Sequence, residues 1–254
     1  MILALLLAFV PLLQDPPKPV EPDAAKVKAA VTALKEAFAK PEAGPRLRAI
    51  EASAELADAE VVELIGRGLD DKDVSVQKGA IEALRFNEHK KSLEELHKRA
   101  KLKAAKEDLP TYASLIRAIG QHGSPTSIEI LNDNPWSTPD MQVLQAKIQG
   151  LGHIRTKEAL KALCDLMEVA GINKIEPFMK DFRLSLWALT GADQGTSRDL
   201  WLKWYRDNKD KLKIAPEPAA EPKELAARWR RTWAKPSEEE DGDAPRKRKR
   251  AGLR

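Results

Sequence analysis

Apolar residues recur every three or four positions along most of the chain, which is the spacing that gathers them on one face of an α-helix. The first such segment covers residues 23–40, and its apolar positions are Val27, Val31, Leu34 and Phe38. No run of β-branched or aromatic residues alternates with polar residues, as a half-buried strand requires. The pattern therefore predicts an all-α protein.

Four of the later helical segments carry the same step, a small residue followed by an aliphatic one. The steps are Ala83-Leu84, Ala118-Ile119, Gly150-Leu151 and Ala188-Leu189, separated by 35, 32 and 38 residues. A period in this range is typical of stacked helical hairpins. The small residue allows two helices to approach closely, and the aliphatic residue fills the layer between hairpins.

Turn and capping residues divide the chain into helices. Ser124-Pro125 and Thr138-Pro139 each place a proline after a capping hydroxyl, and Thr196-x-x-Asp199 has the spacing of a capping box. The predicted helices after the first are residues 45–56, 59–69, 73–84, 92–103, 111–120, a short helix after Pro125, then 139–152, 157–169, 178–189, 197–208 and 223–235.

The segment 73–84 resembles the first helix of a HEAT repeat, in which Asp is followed by Val-Arg-x-x-Ala-x-x-Ala-Leu-Gly. The matching positions are Val76, Ala80, Ala83 and Leu84, whereas Gln77 replaces the arginine and Phe86 follows where glycine is common. Lys147 stands where the pattern expects alanine. The resemblance covers about residues 70–210. It implies an α-solenoid of HEAT-like repeats, here over residues 23–214, that binds another macromolecule.

The end of the repeat region resembles the closing module of HEAT-repeat proteins that some bacteria export. That module has a Thr-Gly-x-Asp-x-Gly turn, here residues 190–195, followed by a tryptophan-rich helix that contains Trp201 and Trp204. Gly191 suits a left-handed helix C-cap, and the two indoles offer a large apolar area to close the stack.

Residues 1–14 carry no charge, and Ile2 to Leu13 is almost continuously apolar. This stretch is shorter than the roughly 20 residues that a membrane span needs, and it matches the core of a secretory signal peptide. A proline-rich spacer follows at residues 15–22. The sequence predicts export to the periplasm, the cell envelope or the medium, with an apolar first helix packed on the array as the alternative.

Residues 215–222 form a linker of Pro, Ala and Glu, and residues 223–235 form a basic amphipathic helix with Leu225, Trp229 and Trp233 on one face. The composition of residues 236–254 is typical of disorder. Residues 238–243 hold five acids, and residues 246–254 hold six basic side chains. The helix is expected to dock on the solenoid or a partner, to lie on an anionic membrane, or to stack on nucleic acid.

Candidate contacts with a partner or an anionic surface are the basic and aromatic residues of this C-terminal part. They are Arg228, Trp229, Arg230, Arg231, Trp233, Arg246, Lys247, Arg248, Lys249 and Arg250.

The sequence contains no recognisable motif of catalytic residues. None of the four histidines has the spacing of a metal site, and neither a phosphate-binding loop nor a nucleophile elbow occurs. Cys164 belongs to an apolar helical stripe, and Asp193 lacks the alternating acidic neighbours of a calcium loop. We expect neither catalytic residues nor a metal, cofactor or small-molecule substrate.

The sequence as a whole predicts an exported scaffold that binds a protein partner on the concave surface of the solenoid, with the basic tail as a second, weak contact to an anionic polymer or membrane. The alternative is a nucleic-acid-binding helical-repeat protein that uses the basic C-terminal helix and tail. A repeat enzyme is the least favoured reading.

Overall fold

The computed structural model describes residues 22–137 and 140–235. The proposed signal peptide, nearly all of the spacer, Thr138-Pro139 and the tail at 236–254 lie outside the described residues. The helices are α1 (Ala24–Phe38), α2 (Ala43–Ser53), α3 (Ala59–Gly66), α4 (Val74–Phe86), α5 (Lys90–Lys101), α6 (Leu109–Gln121), α7 (Ile128–Asn132), α8 (Met141–His153), α9 (Lys157–Val169), α10 (Ile172–Ile175), α11 (Met179–Thr190), α12 (Arg198–Asn208) and α13 (Lys223–Trp233).

The helices form an α-solenoid with two layers. Layer A contains α2, α4, α6, α8 and α11, each packed on the next, and layer B contains α1, α3, α5, α7, α9 and α12 in the same order. Each hairpin contributes one helix to each layer, so most contacts join neighbours along the stack. The prediction of an all-α solenoid is confirmed, and the described residues contain no strand.

Short polar side chains start most of these helices by accepting hydrogen bonds from otherwise unpaired backbone N–H groups. Asp23, Asp58, Asp73, Asp108, Asp140 and Thr156 cap α1, α3, α4, α6, α8 and α9. The predicted capping box at Thr196 is wrong by one residue, because the Ser197 hydroxyl is the group that accepts from the Leu200 N–H. Helix α2 likewise starts at Ala43, two residues before Pro45.

Glycines set the spacing within layer A. A methyl group on Gly120 of α6 would lie 2.7 Å from the Cα of Gly150 of α8, and one on Gly152 would lie 2.7 Å from the Cα of Ser185 of α11. Both distances are too short for a real Cβ atom. The close approach predicted from Gly150 therefore exists, and it requires glycine at position 120 of the facing helix.

The far end of the stack closes on α12. Gly191 ends α11 with φ of 71°, the left-handed conformation predicted for it. Trp201 is 1% exposed, and its indole Nε1 donates to the Gly195 carbonyl at 2.8 Å. Trp204 packs edge-on against Trp201 and is only partly buried. The end of the stack is thus anchored mainly by Trp201.

Two positively charged side chains, Arg46 and Lys147, lie deep in the fold. Arg46 and Asp71 form a two-pronged ion pair at 2.7 and 2.8 Å, and their side chains are 5% and 8% exposed. Lys147 occupies the position expected for alanine, and its Nζ donates to the Asp133 carbonyl. Burial lowers the pKa of Lys147 to about 8. Both charges are compensated by specific hydrogen bonds, which explains why the repeat tolerates them.

Candidate functional site

The C-terminal helix α13 lies across layer A. Leu225, at its start, packs with Leu184 and Ala188 of α11, while the residues just after its end reach α4 through Lys235 and Phe86. The helix therefore runs back along the stack, over the C-terminal ends of α11, α8, α6 and α4. This part of layer A is covered by the protein's own chain.

Three tryptophans and a histidine form the centre of this contact. Trp229 and Trp233 are 5% and 8% exposed, and they form one cluster with the fully buried Trp187 of α11. The Trp233 ring stacks on His153 of α8 at 4.2 Å between centroids, and Trp229 lies 5.9 Å from the same ring. A methyl group on Gly120 would lie 3.2 Å from the Trp233 ring, so this glycine also makes room for the indole.

Polar groups fix the position of α13 at both of its ends. The Trp187 indole Nε1 donates to the Glu221 carbonyl at 3.0 Å, just before the helix. The Gln121 side chain donates to the Trp233 carbonyl at 3.2 Å, at its last turn. The Trp233 indole N–H is buried and has no hydrogen-bond partner among the described residues. An unpaired buried donor costs about 1–3 kcal/mol, so α13 is held less strongly than its apolar contacts alone would allow.

The segment predicted as a linker, residues 215–222, is attached to the solenoid. Arg155 donates to the Ala215 carbonyl at 2.7 Å and to the Glu217 carbonyl at 3.1 Å, and it also contacts the Ala188 carbonyl at the end of α11. One guanidinium thus joins α11 to residues 215–217 and directs the chain back over layer A. Sequence reasoning did not assign this role to Arg155, because the three carbonyls meet only in the folded chain.

The predicted contact residues of α13 fall into two groups. Trp229 and Trp233 are buried against layer A, so no ligand reaches their rings while α13 stays in place. Arg230 and Arg231 are exposed, and Arg228 lies 3.7 Å from the carboxylate of Asp181 in α11. The basic run Arg246, Lys247, Arg248, Lys249 and Arg250 lies outside the described residues. Of the three alternatives for the tryptophan stripe, docking on the solenoid is the arrangement observed.

An open groove of about 830 Å³ begins where α13 stops. It lies between the C-terminal halves of α2 and α4, with Ala54, Ala83 and Phe86 among its apolar lining residues. Four carboxylates surround this apolar lining, from Glu51, Glu55, Glu82 and Glu88. We call this site the acidic groove.

The acidic groove has more negative than positive charge. Glu82 lies 3.6 Å from Arg85, whereas Glu51, Glu55 and Glu88 form no ion pair with any residue that the structure describes. The cation among the lining residues is Lys235, whose Nζ lies 5.7 Å from the centre of the Phe86 ring. The groove therefore combines an aromatic and aliphatic lining with unneutralised carboxylates, which suits a segment that carries Lys or Arg.

The sequence offered only a partial signal for this groove. Glu51 and Glu55 are four residues apart within the predicted helix 45–56, a spacing that places two side chains on the same face of a helix. Glu82 and Glu88 are distant in sequence and reach the same site only because α2 and α4 are neighbours in layer A. The four carboxylates therefore form one site only because α2 and α4 pair in the folded protein.

Side chains from one hairpin satisfy the carbonyl groups that end the preceding layer-A helix. Asn87 donates to the carbonyls of Ala54 and Leu56 after α2. The His122 ring contacts the Leu84 carbonyl of α4 at 3.0 Å, and the His153 ring contacts the Gly120 carbonyl of α6 at 3.0 Å. His122 and His153 occupy equivalent positions at the ends of α6 and α8, and both are partly buried structural caps.

Burial lowers the pKa of His97, His122 and His153 below the ordinary value for histidine. Because the folded protein binds these protons less readily than the unfolded chain, stability is full above about pH 6.5 and falls as the pH drops through that value. We expect the melting temperature to decrease between pH 7.5 and 5.5, in a window where ordinary carboxylates do not titrate.

The double variant His122→Gln/His153→Gln keeps a side-chain donor for each carbonyl but cannot be protonated. Its melting temperature should change with pH much less than that of the wild-type protein over the same range, as measured by circular dichroism. An unchanged pH dependence in the double variant would show that other groups cause the loss of stability.

The other two candidate reactive residues, Cys164 and Asp193, have structural roles. Burial raises the pKa of the Cys164 thiol to about 12, which disfavours the reactive thiolate. Asp193 forms a fork with Arg183 at 2.6 and 2.8 Å, so its carboxylate is already neutralised. Among the residues that the structure describes, no group of three or more His, Cys, Asp or Glu side chains is placed to hold a metal ion. No helix within residues 22–137 or 140–235 is long and apolar enough to cross a membrane.

The chain matches no family model, and no curated protein is significantly similar to it.

Proposed function

We propose that this protein is a non-catalytic, exported scaffold that binds a Lys- and Arg-rich segment of a partner protein in the acidic groove. The proposal rests chiefly on one observation, the open groove between α2 and α4 with three carboxylates that no described cation neutralises. Stacked hairpins commonly bind other macromolecules along an extended surface. The HEAT-like character of the repeats and the export of the chain are parts of the same proposal.

The position of α13 supports this assignment by showing what layer A accepts as a ligand. An amphipathic helix with an apolar Leu-Trp-Trp stripe and flanking arginines lies across four helices of the layer. The acidic groove continues this row of helix ends at α2, beyond the part that α13 covers. A partner segment in the groove would therefore contact the apolar ends of layer-A helices, as α13 does, and would also lie beside the groove carboxylates.

A fluorescein-labelled peptide of ten alternating Arg and Lys residues tests the proposal. We expect the variant Glu51→Gln/Glu55→Gln/Glu88→Gln to bind this peptide about tenfold more weakly than the wild-type protein at low salt. Each screened pair at a partly exposed site contributes about 0.5 kcal/mol, and three such pairs correspond to that factor. Fluorescence anisotropy measures both affinities.

The matched control removes three exposed glutamates from layer B, in the variant Glu129→Gln/Glu158→Gln/Glu168→Gln. Its net charge changes by the same amount, so attraction by the overall field of the protein changes equally. The control should retain nearly all of the wild-type affinity. Equal loss of binding in both variants would contradict a specific site at the groove.

A further inference from the structure

The C-terminal end of the described residues lies at the acidic groove. Lys235, the last residue in this range, lines the groove, and its ammonium group lies near the face of the Phe86 ring. The hydrogen bonds from Gln121 to the Trp233 carbonyl and from Arg85 to the Thr232 carbonyl hold the end of α13 at this position. The residues that follow Lys235 therefore start from the edge of the groove.

Those residues include a segment with the opposite charge to the groove. Arg246, Lys247, Arg248, Lys249 and Arg250 are five consecutive basic residues, and the groove presents four carboxylates. We propose that this segment, Arg246–Arg250, is the groove's own occupant in the resting protein and competes with the partner in the same chain. The inference rests on the proposed function, because it requires that the groove accepts Lys- and Arg-rich segments.

The length of the connection allows this contact. Ten residues, 236–245, separate Lys235 from Arg246, and an extended chain of ten residues spans up to about 33–36 Å. Neighbouring packed helices such as α2 and α4 are about 8–10 Å apart, so the connection is long enough to return across the groove. A short tether also gives an effective concentration in the millimolar range, at which weak charge pairing is sufficient for occupancy.

The acidic block Glu238–Asp243 competes with the groove for the same basic side chains. It carries five acids, which repel the groove glutamates but attract the basic run that follows. A contact within the tail and a contact with the groove therefore make different predictions about which carboxylates lie beside Lys247 and Lys249.

Carbodiimide coupling of the full-length protein distinguishes these arrangements, because it joins only a carboxylate and an amine that are in direct contact. We expect mass spectrometry to find links from Lys247 or Lys249 to Glu51, Glu55 or Glu88. The links should disappear in about 1 M salt, where charge pairs are screened over about 3 Å. Mixing equal amounts of protein with natural and heavy nitrogen should yield links between peptides of the same isotope only.

Three results would overturn the inference. Links confined to Glu238–Asp243 would place the basic run on its own acidic neighbour. Links between peptides of different isotopes would make a second copy of the chain the occupant. Links of equal yield to Glu129, Glu158 and Glu168, which lie on layer B, would show unspecific contact.

A binding measurement separates this inference from the proposed function. The full-length variant with glutamine at all five positions 246–250 should bind the labelled Arg-Lys peptide at least fivefold more tightly than the wild-type protein, because the internal competitor is removed. Equal affinity of the two proteins would refute the internal competitor while leaving the groove as a binding site. If the five-glutamine variant also fails to bind the peptide, the proposed function itself is wrong.

Discussion

Replacing Trp201 with alanine is expected to lower the free energy of unfolding by about 3–5 kcal/mol, the usual loss for a fully buried large aromatic side chain. The Trp201 ring is 1% exposed, and its N–H bonds to the Gly195 carbonyl across the turn that joins α11 to α12. The variant therefore loses the apolar contact that closes the stack and leaves a carbonyl without its partner. Denaturant unfolding followed by circular dichroism measures the difference.

Trp204 provides the matched comparison on the same helix. Its ring is only partly buried and packs edge-on against Trp201. The variant Trp204→Ala should therefore lose clearly less stability than Trp201→Ala. Similar losses for the two variants would show that both rings carry the end of the stack, as the sequence alone had suggested.

We expect the variant Asp71→Leu to lose about 3–5 kcal/mol of stability, because it leaves the buried Arg46 guanidinium without its counter-charge. Although burial opposes ionisation, the hydrogen bonds from Arg46 keep the pKa of Asp71 below its ordinary value. The pair joins α2 to the turn before α4, and Arg46 also donates to the carbonyls of Lys40, Pro41 and Glu42. Guanidinium unfolding measures the loss.

The double variant Arg46→Met/Asp71→Leu identifies the cause of that loss. It replaces both charges with apolar groups of similar volume, and such replacements are often neutral or stabilising. We expect it to be more stable than Asp71→Leu alone. A double variant as unstable as the single one would show that the bonds from Arg46 to the three carbonyls, rather than the buried charge, determine stability here.

The architecture gives layer A two separate roles. Toward the C-terminal end its helix ends are covered by α13, which is held by Trp187, Gln121 and the stacked His153. Toward the N-terminal end the same row of helix ends is open and acidic between α2 and α4. The boundary between these roles lies at Lys235. The proposed partner site and the proposed internal competitor meet at this point.

Local sequence patterns were sufficient to predict the solenoid and all of its helices except the four-residue α10. Helix α9 was predicted at residues 157–169 and is found there, because Thr156 caps it and its apolar stripe is regular. The left-handed conformation of Gly191 was likewise predictable, since a glycine after a periodic apolar segment usually ends a helix. These features depend on residues within one or two helical turns of each other, and such short-range interactions can be read from the order of residues.

Only the tertiary structure decided where the C-terminal part lies and where the acidic groove forms. The sequence left Trp229 and Trp233 with three environments, because an amphipathic stripe determines which face is buried but not the surface that buries it. Arg155, Trp187 and Gln121, which select that surface, lie between 34 and 112 residues from the groups they bind in residues 215–233. The groove depends in the same way on the packing of α2 beside α4. The sequence by itself determined the helices and their stacking, whereas contacts between distant residues determined which part of the stack is covered and which remains open to a partner.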